Sequence, residues 1–161
     1  MSKNVRRQMD KKLAREFIFS GHAVLTCHNT ETGNHKTFMI DKSDDGKVHF
    51  FKIRGDKDGL FQPITRKDRK KKKNWIYVGM TKPDGTFITT KNSKVTWQSQ
   101  SFKSVQWLLI AANEWAMDKD LCPQVEVYHE GFCGRCGRTL TDPNSIQAGY
   151  GPECLKKVQH G

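Results

Sequence analysis

Apolar residues recur at every fourth position near the start of the chain. These residues are Val5, Met9, Leu13 and Phe17. A period close to that of the α-helix is typical of an amphipathic helix, so the pattern predicts a helix over residues 5–20. The cations on the opposite side are Arg7, Lys11 and Arg15. They indicate either a solvated helix face or a surface that contacts a polyanion.

The middle of the chain has short apolar runs separated by turn sequences rich in Gly, Asp and Asn. The runs that we interpret as strands cover residues 22–28, 36–41, 47–54, 74–80, 86–90 and 124–128. Runs of this length with such turns between them predict antiparallel hairpins, and the first three predict a meander.

A second helix is predicted over residues 101–117, where apolar residues from Phe102 to Ala116 fall on one arc. Trp107 and Ile110 lie outside that arc. Either another element covers them or they form a surface for a partner. Helix, about five strands and helix together predict an α+β body with an antiparallel sheet flanked by two helices.

The positive charge of the chain is concentrated in one segment. The net charge is +11, and residues 66–73 contribute +6 of it. The cations of this basic segment are Arg66, Lys67, Arg69, Lys70, Lys71, Lys72 and Lys73. We expect an exposed loop, because residues 55–73 also carry glycines and a proline. A localised excess of this kind favours a polyanionic partner such as nucleic acid, and a solvated loop is the alternative.

Three of the five cysteines lie near the C-terminus with the spacing of a zinc site. Cys133 and Cys136 form a Cys-x2-Cys turn, and Gly137 lets the backbone fold back beneath the two thiolates. Cys154 follows at a distance usual between the halves of a zinc site, next to a Pro-Glu pair that suits a helix start. The sequence therefore predicts a zinc knuckle of the treble-clef type, and a redox Cys-x2-Cys is disfavoured by its surroundings.

The fourth ligand of this site is less well defined by the spacing. His129 lies four residues before the knuckle, and His160 lies six after Cys154. In a continuous helix His160 would point well away from Cys154, so we favour His129. Water or no fourth ligand are the remaining alternatives. The division that follows is an α+β body over residues 1–122 and a zinc-binding module over residues 123–161.

The tail resembles the C-terminal zinc module of small proteins encoded by bacteriophages, prophages and related bacteria. The residues in register with that pattern are His129, Glu130, Cys133, Cys136, Gly137, Arg138, Leu140, Thr141, Pro143, Ser145, Ile146, Gly149, Gly151, Pro152 and Cys154. The helix–meander body resembles the same family more loosely, and the lysine run is a departure from it. The resemblance implies zinc and a phage or bacterial cytosolic setting, but it implies no activity.

Three functional hypotheses follow. The first is a nucleic-acid-binding accessory protein whose residues 66–73, with Arg7, Lys11 and Arg15, contact phosphates without reading sequence. Trp75 and Tyr77 adjoin that segment and could stack on bases, although strand aromatics more often belong to a core. The second is a module that binds a host or defence protein.

The third hypothesis, an enzyme, has the least support. No nucleophile–base pair, phosphate loop or carboxylate pair appears with local spacing. We expect a cytosolic protein with reduced thiols, because the N-terminal residues lack the apolar stretch of a signal peptide and no apolar run approaches membrane-spanning length.

Overall fold

The computed structural model describes residues 6–54 and 65–160. Its described residues form seven strands and five α-helices, with two short 3-10 turns at Lys11–Leu13 and Lys72–Asn74. The strands are β1 (Arg7–Gln8), β2 (His22–Asn29), β3 (His35–Lys42), β4 (His49–Arg54), β5 (Trp75–Thr81), β6 (Phe87–Ile88) and β7 (Val125–His129). The helices are α1 (Ala14–Ile18), α2 (Arg66–Lys70), α3 (Gln100–Ala116), α4 (Pro143–Ala148) and α5 (Pro152–His160).

The strands form one antiparallel sheet in the order β1-β7-β2-β3-β4-β5-β6. The predicted α+β class and the meander β2-β3-β4 are confirmed. The sheet has seven strands where about five were expected. The six runs predicted as strands correspond to β2 to β7, and β1 is a two-residue edge strand that the sequence pattern did not indicate. Strand β7 lies between β1 and β2, so the segment that leads into the cysteine knuckle is part of the sheet.

Helix α3 packs on one face of the sheet, as its pattern predicted. The side chain of Ser99 caps it by accepting a hydrogen bond from the backbone N–H of Phe102 at 3.1 Å. Its buried side chains include Leu108 and Trp115, whereas Ile110 is 61% exposed and Trp107 is 36% exposed. In the part of the chain that the structure describes, no helix combines the length and apolar character needed to cross a membrane.

The predicted helix over residues 5–20 is confirmed only at Ala14–Ile18, and its first part is wrong. Residues 7–8 pair with β7 as an edge strand, and the backbone N–H of Met9 extends the pairing to the carbonyl of Val127 at 2.8 Å. Asp10 then caps the 3-10 turn Lys11–Leu13 by accepting from the N–H of Lys12, and only Ala14–Ile18 is α-helical. The edge of β7 supplies hydrogen-bond partners to the backbone of residues 7–9. This long-range pairing determines the structure of these residues, although their apolar period is that of a helix.

The other face of the sheet carries a buried ion pair. Arg6 Nε donates to Glu130 Oε2 at 2.7 Å, and the carboxylate is fully buried. The hydroxyl of Thr26 donates to the same oxygen at 2.8 Å and contacts the hydroxyl of Thr37 at 2.8 Å. Glu130 therefore ties the N-terminal segment to β2 at the point where the chain leaves β7.

Replacing Glu130 with Ala should lower the free energy of unfolding by about 3–5 kcal/mol, because it leaves the nearly buried Arg6 charge without its carboxylate. Glu31, an exposed residue of a turn, is the matched control. Glu31→Ala should change the free energy of unfolding by less than about 0.5 kcal/mol. Chemical denaturation of the three proteins measures both values. Equal stabilities of the two variants would contradict the structural role of the ion pair.

Candidate metal centre and basic segment

The Cys-x2-Cys turn is a closed backbone loop directly after β7. The N–H of Cys133 donates to the carbonyl of Arg138 at 2.8 Å, and the N–H of Gly137 donates to the carbonyl of Cys133 at 2.8 Å. Gly137 has a φ of +81°, the left-handed conformation that glycine adopts without strain. The two bonds and this conformation hold the first two thiols on the same side of the loop.

The knuckle packs closely against α1. A side chain at Gly134 would place its Cβ only 2.6 Å from the Phe17 ring, so glycine permits this approach. The carbonyl of Gly134 accepts hydrogen bonds from the N–H of His22 at 2.7 Å and the hydroxyl of Ser20 at 2.6 Å. The knuckle therefore shares the core of the sheet, and Cys133, Leu140 and Cys154 pack in the same apolar cluster as Phe17.

Helices α4 and α5 return the third cysteine to the knuckle. Asp142 caps α4 by accepting from the N–H groups of Asn144 and Ser145, with Pro143 in the first turn. Helix α5 begins at Pro152, as the sequence predicted, and Cys154 lies in its first turn. The N–H of Gly134 donates to the carbonyl of Gly149 at 3.0 Å, which fixes the connection between the helices to the knuckle.

The sulfur atoms of Cys133, Cys136 and Cys154 lie within 4.8 Å of one another. Thiolates bound to one tetrahedral ion with metal–sulfur bonds of about 2.3 Å would be about 3.8 Å apart, so a small contraction of the cluster suffices. Cys133 and Cys154 are buried and Cys136 is exposed. These three residues could hold a metal ion, as predicted.

The two buried thiols have opposite pKa shifts. Burial raises the pKa of Cys133, but N–H donors from Gly151, Cys136 and Arg135 outweigh it, and the pKa is lowered. Burial raises the pKa of Cys154 to about 11; Arg135 lowers it, and contacts with the other two thiols raise it. Adjacent thiols cannot all carry negative charge without a compensating cation, which a bound metal supplies.

His129 does not belong to this cluster, contrary to our prediction from spacing. Its ring is buried, Nε2–H donates to the carbonyl of Ile146, and Nδ1 accepts from the N–H of Gly131 at 3.0 Å. Burial lowers the pKa of His129, which favours the neutral ring that this pair of bonds requires. With both nitrogens engaged, His129 joins β7 to α4 and has no lone pair for a metal. The other candidate, the side chain of His160, lies outside the described part of the structure.

A cavity of about 460 Å³ adjoins the thiols. The residues that line it on the cysteine side include Arg135, Arg138, Glu153 and Lys157. Within residues 6–54 and 65–160, only the three cysteines form a group with metal-ligand geometry. Water or a further side chain could therefore reach a metal ion held by these three cysteines and complete its ligand set.

The basic segment is folded, whereas the sequence predicted a loop. Residues Arg66–Lys70 form α2 and Lys72–Asn74 form a 3-10 turn. The exposed cations are Arg66, Lys67, Lys70, Lys71 and Lys72. The side chain of Lys73 lies outside what the structure describes.

Arg69 faces the protein instead of solvent. Its Nη1 donates to the carbonyl of Gly137 at 2.7 Å, Nη2 donates to the carbonyl of His22 at 3.3 Å, and the guanidinium stacks 5.0 Å from the centre of the Phe132 ring. Burial lowers the pKa of Arg69, which the charge of Asp41 partly offsets, and an arginine stays protonated under such shifts. Nothing in the sequence distinguishes Arg69 from its neighbours, so this role could not be predicted.

The other three predicted cations do not share a helix face. Lys11 Nζ contacts Asp120 Oδ2 at 2.9 Å and the carbonyl of Cys122 at 3.1 Å. Arg15 Nε donates to Asn113 Oδ1 at 2.6 Å, and Arg7 is exposed on the edge strand β1. The side chains of Lys11 and Arg15 thus contact residues of α3 and of the segment that follows it.

The fold and the cysteine cluster define an α+β protein with a C-terminal cysteine knuckle that could hold a metal ion. Residues 124–159 match the model of a family of unknown function, DUF6011. No curated protein and no solved structure matches the chain. The matched residues include β7 and the three clustered cysteines, so the family match and the candidate metal centre coincide.

Purified protein should contain about one metal ion per chain, because three thiols converge on one point. Cys133→Ser and Cys136→Ser should lose the ion, whereas Cys122→Ser, a change outside the cluster, should retain it. Elemental analysis measures the content and identifies the element. Chelation should also lower the Tm, since metal binding contributes folding energy. A metal-free native protein of unchanged Tm would contradict this assignment.

His129→Ala should keep the full metal content while lowering the free energy of unfolding by about 1–3 kcal/mol, because it leaves the Ile146 carbonyl without its donor. Metal analysis and denaturation on the same sample separate the two effects. His160→Ala, measured alongside, tests the other histidine. Loss of metal in His129→Ala at intact stability would restore His129 as a ligand.

Proposed function

We propose that the protein is a zinc-stabilised nucleic-acid-binding protein whose basic segment, residues 66–73, contacts phosphates without reading base sequence. Arg66, Lys67, Lys70, Lys71 and Lys72 place five exposed cations within seven residues. Most described exposed cations elsewhere are interspersed with acids, whereas here only Asp68 opposes them. Such a density of charge suits the regularly spaced phosphates of a nucleic acid.

The observation that carries this proposal is the attachment of the segment by Arg69. A disordered lysine run would be equally compatible with a solvated tail. Here the segment is helical, and its central arginine is fixed to the knuckle by the 2.7 Å bond to Gly137 and to β2 through His22. A fixed set of cations loses less conformational entropy when it binds phosphates than a flexible run would.

Zinc is the metal that we propose for the cysteine cluster. Thiolates from a tight turn and a helix start are typical donors of structural zinc sites, and they are soft ligands that magnesium and calcium avoid. When bound, zinc would neutralise the thiolates and hold α5 on the knuckle. The residue pattern of the tail supports a phage or prophage origin and a setting in the cytosol of the host cell.

A partner protein is the second candidate. Ile110 and Met117 lie seven positions apart at one end of α3 and are 61% and 62% exposed. Leu13, in the turn that packs on α3, is also exposed. An exposed apolar strip of this kind suits a protein contact, which would tolerate salt, whereas phosphate contacts would not.

The affinity for a duplex should fall with salt, with a slope of log K against log salt near about −4, if four or five phosphates are engaged. Lys70→Ala, Lys71→Ala and Lys72→Ala together should flatten that slope by about two to three units and weaken binding equally for unrelated sequences. Fluorescence anisotropy at several salt concentrations measures both.

The matched control removes three exposed lysines from other parts of the surface, Lys47, Lys82 and Lys119. It has the same net charge as the triple variant of the basic segment, so general electrostatic attraction would weaken equally in both. Equal slopes would reject the segment as the contact site. Binding by the wild type no tighter than ~10⁻⁴ M at low salt would reject the proposal and favour the partner protein.

A further inference from the structure

A groove lies beside the basic segment on the face of the sheet opposite α3. Successive side chains of a strand alternate between faces, and Phe38, Ile40, Phe51 and Ile53 point into the core with α3. The intervening residues of β3 and β4 therefore line the opposite face. The groove has a volume of about 810 Å³, which is within the range of about 300–1,000 Å³ found for ligand clefts.

The groove is strongly positive. The cations that line it are Lys52, Arg69, Lys70, Lys72 and Lys94. Asp41 is the one acidic residue among its lining residues, and its Oδ1 contacts His22 Nδ1 at 3.2 Å. The backbone N–H of Lys94 donates to the carbonyl of Tyr77 at 3.0 Å, so the main chain of this residue is fixed beside the floor of the groove. The positive charge of the groove favours an anionic ligand over an uncharged apolar one.

Aromatic side chains form part of the floor. Phe50 of β4 and Tyr77 of β5 are half-buried, with ring centres 6.4 Å apart and planes tilted by 55°. Trp75 contributes less surface, because it is 8% exposed and packs with Val24, Met39 and Phe132. Of the two aromatics next to the basic segment in sequence, Tyr77 thus faces the groove and Trp75 serves mainly as core.

We infer that this groove binds unpaired bases of a single-stranded nucleic acid, with phosphates on its lysines and bases against Phe50 and Tyr77. The inference rests on the proposed function. It adds to that function a preference for single-stranded over double-stranded nucleic acid and the place where the bases bind. In a duplex the base faces are stacked on each other and are hidden from an aromatic floor. In a single strand they are free to stack on protein rings, as in platforms that combine aromatics with a positive groove.

The test compares a labelled single strand with a hairpin duplex of the same sequence. The wild type should bind the single strand more tightly. Phe50→Leu with Tyr77→Leu keeps apolar volume but removes both rings, so single-strand affinity should fall by about 5- to 150-fold for each base that loses its stacking partner. Duplex affinity should change by less than about twofold, and the salt slope should stay the same.

Two controls separate stacking from other effects. Tyr77→Phe removes the hydroxyl that accepts from Thr90 at 3.4 Å but retains the ring, so it should bind like the wild type. Trp97→Leu removes an exposed aromatic that does not line the groove and should also leave affinity unchanged. The Tm of every variant shows whether the fold is intact.

The outcomes distinguish this inference from the proposed function. If the lysine variant weakens binding while the double leucine variant, with an unchanged Tm, binds both nucleic acids like the wild type, the groove is rejected and the phosphate contacts stand. An equal loss of affinity for single strand and duplex also rejects the groove as a site for unpaired bases, because the two rings would then contact something that both nucleic acids share. Absence of any binding by the wild type rejects both.

Discussion

The pairing of β7 on both edges is the constraint on which the rest of the structure depends. Val125–His129 pairs with β2 over five residues and with β1 over two, and the chain continues directly into Glu130 and the cysteine knuckle. His129 turns toward α4 on one face, and Glu130 toward Arg6 and Thr26 on the other. Because both side chains are buried and hydrogen-bonded, the direction in which the chain leaves the sheet is fixed. The cysteine cluster is therefore positioned by the sheet, and the described residues of the C-terminal module share their core with the preceding residues.

How much the sequence predicts depends on whether the determining contacts are local. Helix α3 and the strands β2 to β5 were predicted, because their apolar periods report a buried face directly. The convergence of Cys133, Cys136 and Cys154 was also predictable, since a tight turn and a helix start are local features. The first part of the helix predicted over residues 5–20 was wrong because the edge of β7, more than a hundred residues away in sequence, binds the backbone of residues 7–9.

The candidate site shows the same limit. Spacing predicted His129 as a fourth ligand beside the cysteines, but its two ring nitrogens are hydrogen-bonded to Ile146 and Gly131. The charge of the basic segment is visible in the sequence, yet Arg69 is distinguished from its neighbours by contacts that the sequence does not show, among them the hydrogen bond to Gly137 in the knuckle. Phe50 and Lys52 were not predicted as site residues, because the alternation of apolar and polar residues along one strand does not show which strand pairs with it. The pairing of Lys52 in β4 with Tyr77 in β5 places the cations and the aromatic rings of the groove side by side.

Arg69 also relates the metal centre to the basic segment. Its acceptor, the carbonyl of Gly137, is one residue beyond Cys136, and its ring partner Phe132 is one residue before Cys133. A change in the knuckle on loss of the metal would move both contacts at once, and α2 would lose its attachment. If the segment binds phosphates as we propose, this attachment makes metal and nucleic acid linked ligands. The linkage must be reciprocal: the factor by which the metal strengthens nucleic-acid binding is the factor by which nucleic acid strengthens metal binding. The size of this linkage would be bounded by the free-energy cost of detaching Arg69. On this proposal the knuckle would support the basic segment, and bound nucleic acid would in turn favour metal binding.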